Sequence, residues 1–118
     1  MSVAAEPIWA VKPEKVEAVV KRLVEVGHPR KVFLFGSYVR GQTHRDSDLD
    51  VLVVADDTIE NTRKESARLR RAVDDIRMSM DIVVVRESMF EALKDKIGLI
   101  YREAVRHGRL VYDAAAAA

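Results

Sequence analysis

Residues 31–55 read KVFLFGSYVRGQTHRDSDLDVLVVA. Two apolar runs frame this stretch. The first, KVFLF at 31–35, is β-branched and aromatic and reads as a strand, ended abruptly by Gly36-Ser37. Residues 37–41 have the length of one or two helical turns, and the polar residues 43–47 read as a loop. The second run, DLDVLVVA at 48–55, is the most hydrophobic part of the chain and reads as a second strand. Within it Asp48 and Asp50 stand two positions apart, so both carboxylates leave one face. Leu49, Val51 and Val53 take the opposite face, into the core.

Two like charges on one strand face repel unless a cation lies between them. Carboxylates with water and phosphate oxygens are the usual ligands of magnesium. An isolated Asp-x-Asp is more often the solvated start of a strand. Asp81 shifts the balance, because it heads a third apolar run, MDIVVV at 80–85. Should the second and third strands be neighbours, three carboxylates converge, enough for one or two magnesium ions (Mg2+). Gly36 and Ser37 form a second component. A glycine after a buried strand lets a ligand approach the backbone, and a helix opening there would point free N–H groups at phosphate. Taken alone, Gly-Ser is an ordinary strand-to-helix turn with Ser37 as N-cap.

Outward from this centre, Pro13 suits a first helical turn, and Val16, Val19, Val20 and Leu23 follow at helical spacing, giving a helix over 13–26 with Gly27 as its stop. Thr58 reads as the N-cap of an amphipathic helix over 59–77. Its outer face carries the basic patch Arg63, Lys64, Arg68, Arg70 and Arg71, read chiefly as a solvated face and secondarily as a contact for an acidic or nucleic-acid partner. Ser88 and Glu91 have capping-box spacing for a further helix, which breaks near Gly98 and resumes to His107. Residues 109–112 read as a last strand. Four strands and about four helices alternate as one α/β (α+β) domain over 1–113. The alanines 114–118 carry no pattern and are read as a remnant outside the fold.

The 118 residues are one domain's worth, with 48% hydrophobic and 33% charged residues. No cysteine is present, which excludes a disulfide scaffold, a cysteine nucleophile and thiolate metal sites. Twenty Lys and Arg against nineteen Asp and Glu give a net charge of +1, so nucleic-acid binding is not expected. No apolar run approaches membrane-spanning length, and the N-terminus lacks a basic signal region. The chain is expected to be cytoplasmic. Tyr38, Tyr101 and Tyr112 are expected to pack, Trp9 to dock the N-terminal segment, and His44 and Asp46 to be loop residues.

Gly36-Ser37, ten residues, Asp48-x-Asp50, then an acid on a following strand together resemble the nucleotidyltransferase superfamily that includes DNA polymerase β. The stretch GSYVRGQTHRDSDLDVLVV is similar to its small, minimal nucleotidyltransferase branch. The resemblance runs from about Val32 through Asp81 and more weakly to Tyr112. It implies the nucleotidyltransferase fold, a mixed β-sheet flanked by helices. It implies that Asp48 and Asp50 bind metal, and that Asp81 is a metal ligand or the base toward an acceptor hydroxyl. Gly36 and Ser37 match positions that hold the β- and γ-phosphates, and Arg40, a turn past Ser37, is within reach of them. The implied reaction moves a nucleoside monophosphate, AMP from ATP, onto a hydroxyl. The implied acceptor is a tyrosine of a helical HEPN-domain toxin, for which this chain would be the antitoxin. Transfer to a small molecule, as in aminoglycoside nucleotidyltransferases, and a non-catalytic binding antitoxin are the alternatives. An oligomer is left open.

Overall fold

A computed structural model describes residues 10–36, 38–39, 48–96 and 98–117. The described elements are α1 (Pro13–Gly27), β1 (Lys31–Phe35), β2 (Leu49–Ala55), α2 (Thr62–Ala72), β3 (Met80–Arg86), α3 (Glu87–Leu93), α4 (Ile100–His107), β4 (Arg109–Asp113) and α5 (Ala114–Ala117). The four strands form one mixed sheet in the order β3-β2-β1-β4. β1 runs antiparallel to both neighbours, and β2 pairs parallel with β3 through the α2 crossover. The mixed sheet flanked by helices agrees with the expected fold class.

Both faces of the central strands are buried, not one. On the first face Leu34, Val51, Val53 and Ile82 pack beneath Val16, Val19 and Leu23 of α1 and Leu69 of α2. On the second, Phe33, Leu52, Val54 and Val85 pack against Phe90 of α3 and Ala104 of α4. The rings of Phe33 and Phe90 stand 5.4 Å apart and tilted. This two-sided burial explains the unbroken VLVV run, since a strand covered on both faces has no polar side to alternate with. α1 is tied to the end of α2 by Arg22, whose guanidinium donates to the Ala72 carbonyl and to the Asp75 carboxylate at 2.8 Å each.

Several expected boundaries move. α2 begins at Thr62, and its N-cap is Asn61, whose side chain accepts from the Lys64 N–H at 3.0 Å. Thr58 does not cap, because its own N–H is taken by Asp56 Oδ1 at 2.8 Å, a local turn that holds the chain out of the helix. The helix also stops at Ala72 rather than 77. The Ser88/Glu91 capping box does not form. Arg86 is the N-cap of α3, the Ser88 N–H donates to Asp57 Oδ1, and Glu91 pairs with Lys94. Tyr38 and Val39 form a turn, not helix; Ser37 and 40–47 lie outside the described residues, as does Trp9. The break at Gly98 and the strand at Arg109–Asp113 are present. Ala114–Ala117, read from the sequence as part of a remnant without pattern, form the short helix α5. The three tyrosines are partly buried against the cores.

Candidate active site

Because β1 is antiparallel to β2, its C-terminal end lies beside the N-terminal ends of β2 and β3. One transverse row of the sheet therefore reads Phe35, Asp50, Asp81, with Phe35 opposite Asp50 and Asp50 opposite Asp81. Residues paired in register share a face, so Asp50 and Asp81 project on the same side, at the rim of the second core. Asp50 is half-buried and Asp81 exposed. Asp48, just before β2, is exposed as well and accepts a 2.5 Å hydrogen bond from the Ser79 hydroxyl. The Leu49 N–H donates to the Ser79 carbonyl at 3.0 Å, fixing that register one step beyond the strands. Ser79-x-Asp81 thus lies alongside Asp48-x-Asp50, rung by rung.

Gly36 closes the end of β1 with φ +88°, the left-handed region that favours glycine. A Cβ at this position would fall on Asp50 Oδ2. The missing side chain is what gives the Asp50 carboxylate its place above the turn. Gly108, between α4 and β4, is similarly confined, since a Cβ there would strike the backbone carbonyls of Ala104 and Leu34. That contact seats β4 on β1.

Of the residues singled out in the sequence, Gly36, Asp48, Asp50 and Asp81 come to one end of the sheet. Ser37 and Arg40 lie outside the described residues. The expected convergence of three acids on a single coordination sphere is not reached: among the described residues, no group of three His, Asp or Glu side chains is close enough to hold a metal ion. The register brings Asp50 beside Asp81, while the Asp48 carboxylate is drawn toward Ser79. Ser79 was not read from the sequence as a site residue. The available signal was its position two residues before Asp81, the spacing of Asp48 to Asp50.

A cleft of about 330 Å³ opens at the outer edge of β3, lined by Arg63, Ser66 and Arg70 of α2 and by Met80, Asp81 and Ile82. A larger cavity, about 800 Å³, lies between α1 and β4 and is lined by Val20, Val24, Leu34 and Tyr112. Its walls are mostly apolar and hold none of the three acids.

The nucleotidyltransferase domain family matches residues 13–111, nearly the whole sheet and its helices. The chain belongs to this family. The nucleotidyltransferase chain is 42% identical over 59 residues to the protein adenylyltransferase MntA of Shewanella oneidensis. That alignment covers 48% of the chain and 40% of MntA, so the match spans well under half of the relative's length. In fold, the nucleotidyltransferase is similar to a crystal structure from Sulfolobus solfataricus assigned to the nucleotidyltransferases, with TM-score 0.60 and 20% identity over 86% of this chain and 80% of that one. It is similar also to the crystal structure of a toxin–antitoxin with AMP-PNP, with TM-score 0.54 and 26% identity over 86% of this chain and 76% of that one. Among the described residues no helix is long and apolar enough to cross a membrane.

Proposed function

We propose that this nucleotidyltransferase transfers AMP from ATP to a hydroxyl of a partner protein, a tyrosine of a HEPN-type toxin, and so acts as the antitoxin. The observation that carries the reading is the register pair Asp50–Asp81 beside the Gly36 turn. The similarity to MntA and to a toxin–antitoxin crystallised with AMP-PNP supports the donor and the partner class.

The donor set fits magnesium in kind: hard carboxylate oxygens, with no sulfur or histidine among the candidates. Asp48 and Asp50 would hold it, with Asp81 as a further oxygen donor. Bound there, magnesium would neutralise phosphate charge and lower the barrier to expelling pyrophosphate. The chain's own residues do the rest. The backbone at Gly36 and the Ser37 hydroxyl receive the β- and γ-phosphates, with Arg40 at their side. Asp81, the exposed acid, orients the acceptor hydroxyl and takes its proton. The acceptor oxygen bonds to the α-phosphorus, the bond from that phosphorus to the bridging oxygen breaks, and pyrophosphate leaves with both electrons of that bond. Such a reaction would draw on the ATP of the cytoplasm.

That no three acids among the described residues stand close enough to hold a metal ion favours a second reading, in which the protein neutralises its partner by contact alone. Incubation of co-expressed protein and partner with labelled ATP and magnesium distinguishes the two. Label on the partner, absent with Asp81→Ala, is expected. Tight binding without label under every metal and nucleotide tried would give the contact reading the field.

A further inference from the structure

The strand order gives the candidate site a direction. Gly36 ends β1, Asp50 is on β2, Asp81 is on β3, and beyond β3 comes the cleft walled by α2. α2 packs on the first face of the sheet and the Asp81 carboxylate projects on the second, so, with phosphates at Gly36, an acceptor seated in that cleft reaches Asp81 round the outer edge of β3. Two of its lining residues are arginines. Among the described residues the Nη1 atom of Arg70 is buried without a hydrogen-bond partner, and its ion pair with Asp74 is long at 3.9 Å. A buried guanidinium nitrogen left unsatisfied is costly and marks a position awaiting an acceptor oxygen. Arg63 is exposed one turn before Ser66 and two turns before Arg70, at the mouth of the same cleft. Arg68, by contrast, is bonded to Glu65 at 2.7 and 2.8 Å and faces elsewhere. Ser66 donates to the Ile82 carbonyl at 2.5 Å, which holds α2 against β3 and fixes the wall of the cleft along that edge.

From this we infer that the cleft formed by Arg63, Arg70 and the β3 edge is an acceptor-docking site for an acidic peptide segment, whose Glu or Asp side chains pair with the two guanidinium groups while a neighbouring hydroxyl lies at Asp81. This rests on the transfer reading only for the hydroxyl. The docking itself follows from charge complementarity. Guanidinium forks match carboxylates in paired, in-plane hydrogen bonds. A nucleic-acid strand fits less well, because among the described residues no aromatic side chain lines the cleft to stack a base and the chain's net charge is only +1.

The test uses two fluorescein-labelled synthetic peptides, each with one tyrosine, flanked by Glu in one and by Lys in the other. Anisotropy reports their binding to the full chain, and a separate titration reports ATP binding. The Glu peptide is expected to bind at least about tenfold more tightly than the Lys peptide, with the gap shrinking as salt rises. Arg63→Glu with Arg70→Glu should invert the preference and leave ATP affinity unchanged. Lys64→Glu with Arg71→Glu, on the same helix but outside the cleft, should retain it. Arg63→Ala alone, at an exposed position in the first turn, should weaken the preference without unfolding the chain, checked by circular dichroism. Equal binding of the two peptides overturns the inference, as does loss of preference in the Lys64/Arg71 control. A single-stranded RNA that binds more tightly than the Glu peptide, and is lost in the Arg63/Arg70 variant, also overturns it. A preference for the Glu peptide with no label transferred to it upholds the cleft and sinks the transfer reading instead.

Discussion

The backbone of Gly36 lies directly beneath the Asp50 carboxylate, so close that any side chain at position 36 would occupy the space of Oδ2. Gly36→Ala therefore carries two penalties, a residue with a Cβ at φ +88° and a displaced carboxylate. The expected loss is about 1–3 kcal/mol of stability together with most of the ATP binding. Urea denaturation and a nucleotide titration read the two separately. An alanine variant with unchanged urea midpoint and unchanged ATP affinity would show that the turn is not confined as described.

Asp50→Asn and Asp81→Asn should each preserve the fold, since neither carboxylate is in the core. Asp81→Asn removes the group assigned to the acceptor proton, and a loss of about 10²–10⁴-fold in transfer rate is expected. In metal-free buffer, Asp81→Asn should leave the melting temperature unchanged or slightly higher, through relief of repulsion from the neighbouring acid. A large drop in melting temperature would assign this acid to structure.

The start of α2 depends on the Asn61 side chain, which accepts from the Lys64 N–H. Asn61→Ala should cost about 1 kcal/mol, and Asn61→Asp should cost little, since both side chains cap. Thermal melts followed by circular dichroism check the order. Thr58→Ala, removing a side chain that does not cap, should fall well short of the Asn61→Ala cost.

The buried Glu65 carboxyl is held below the usual carboxylate range by hydrogen bonds from Arg68, against the opposing effect of its burial. Its folded pKa is lower than its unfolded one, so the unfolded chain binds more protons between the two. The stabilisation is present above the ordinary glutamate value, about 4.3, and is lost as pH falls through the lower folded value. Arg68→Ala should thus lower the melting temperature at pH 7 and narrow its gap to the unsubstituted protein in strong acid. A constant gap from pH 7 to pH 2 would mean that the pair contributes nothing through charge.

The strands were readable because each is a short β-branched run with abrupt ends, but the row joining Asp50 to Asp81 also needs β2 and β3 to be neighbours in register, which alternation within a run does not give. The helix starts were less readable, for a specific reason. Asp56 and Asp57 each capture a backbone N–H, that of Thr58 and that of Ser88. Both expected caps fail through competition from these neighbouring aspartates, one of them distant in sequence. The second buried face of the sheet was signalled by the unbroken VLVV run, but its cover, Phe90 and Ala104, comes from helices distant in sequence that the run does not identify. The hydrogen bond from Ser79 to Asp48 was less readable, because Ser79 precedes the apolar run and only its spacing of two from Asp81 marks it.

β1 pairs with β2 on one side and with β4, the last strand, on the other. A ribosome delivers these partners at different times. Once β3 has emerged, the row of Gly36, Asp50 and Asp81 can assemble, but one edge of β1 stays bare until residues 109–113 arrive. At about 5–20 residues per second, that interval is on the order of seconds. A bare edge beside the buried Val32 and Leu34 is a template for strands of other chains. Premature termination before Arg109 would therefore not yield merely a weakened enzyme. It would yield a nearly complete site on a self-associating fragment, and the burden of the nascent chain on chaperones should fall chiefly on its final strand.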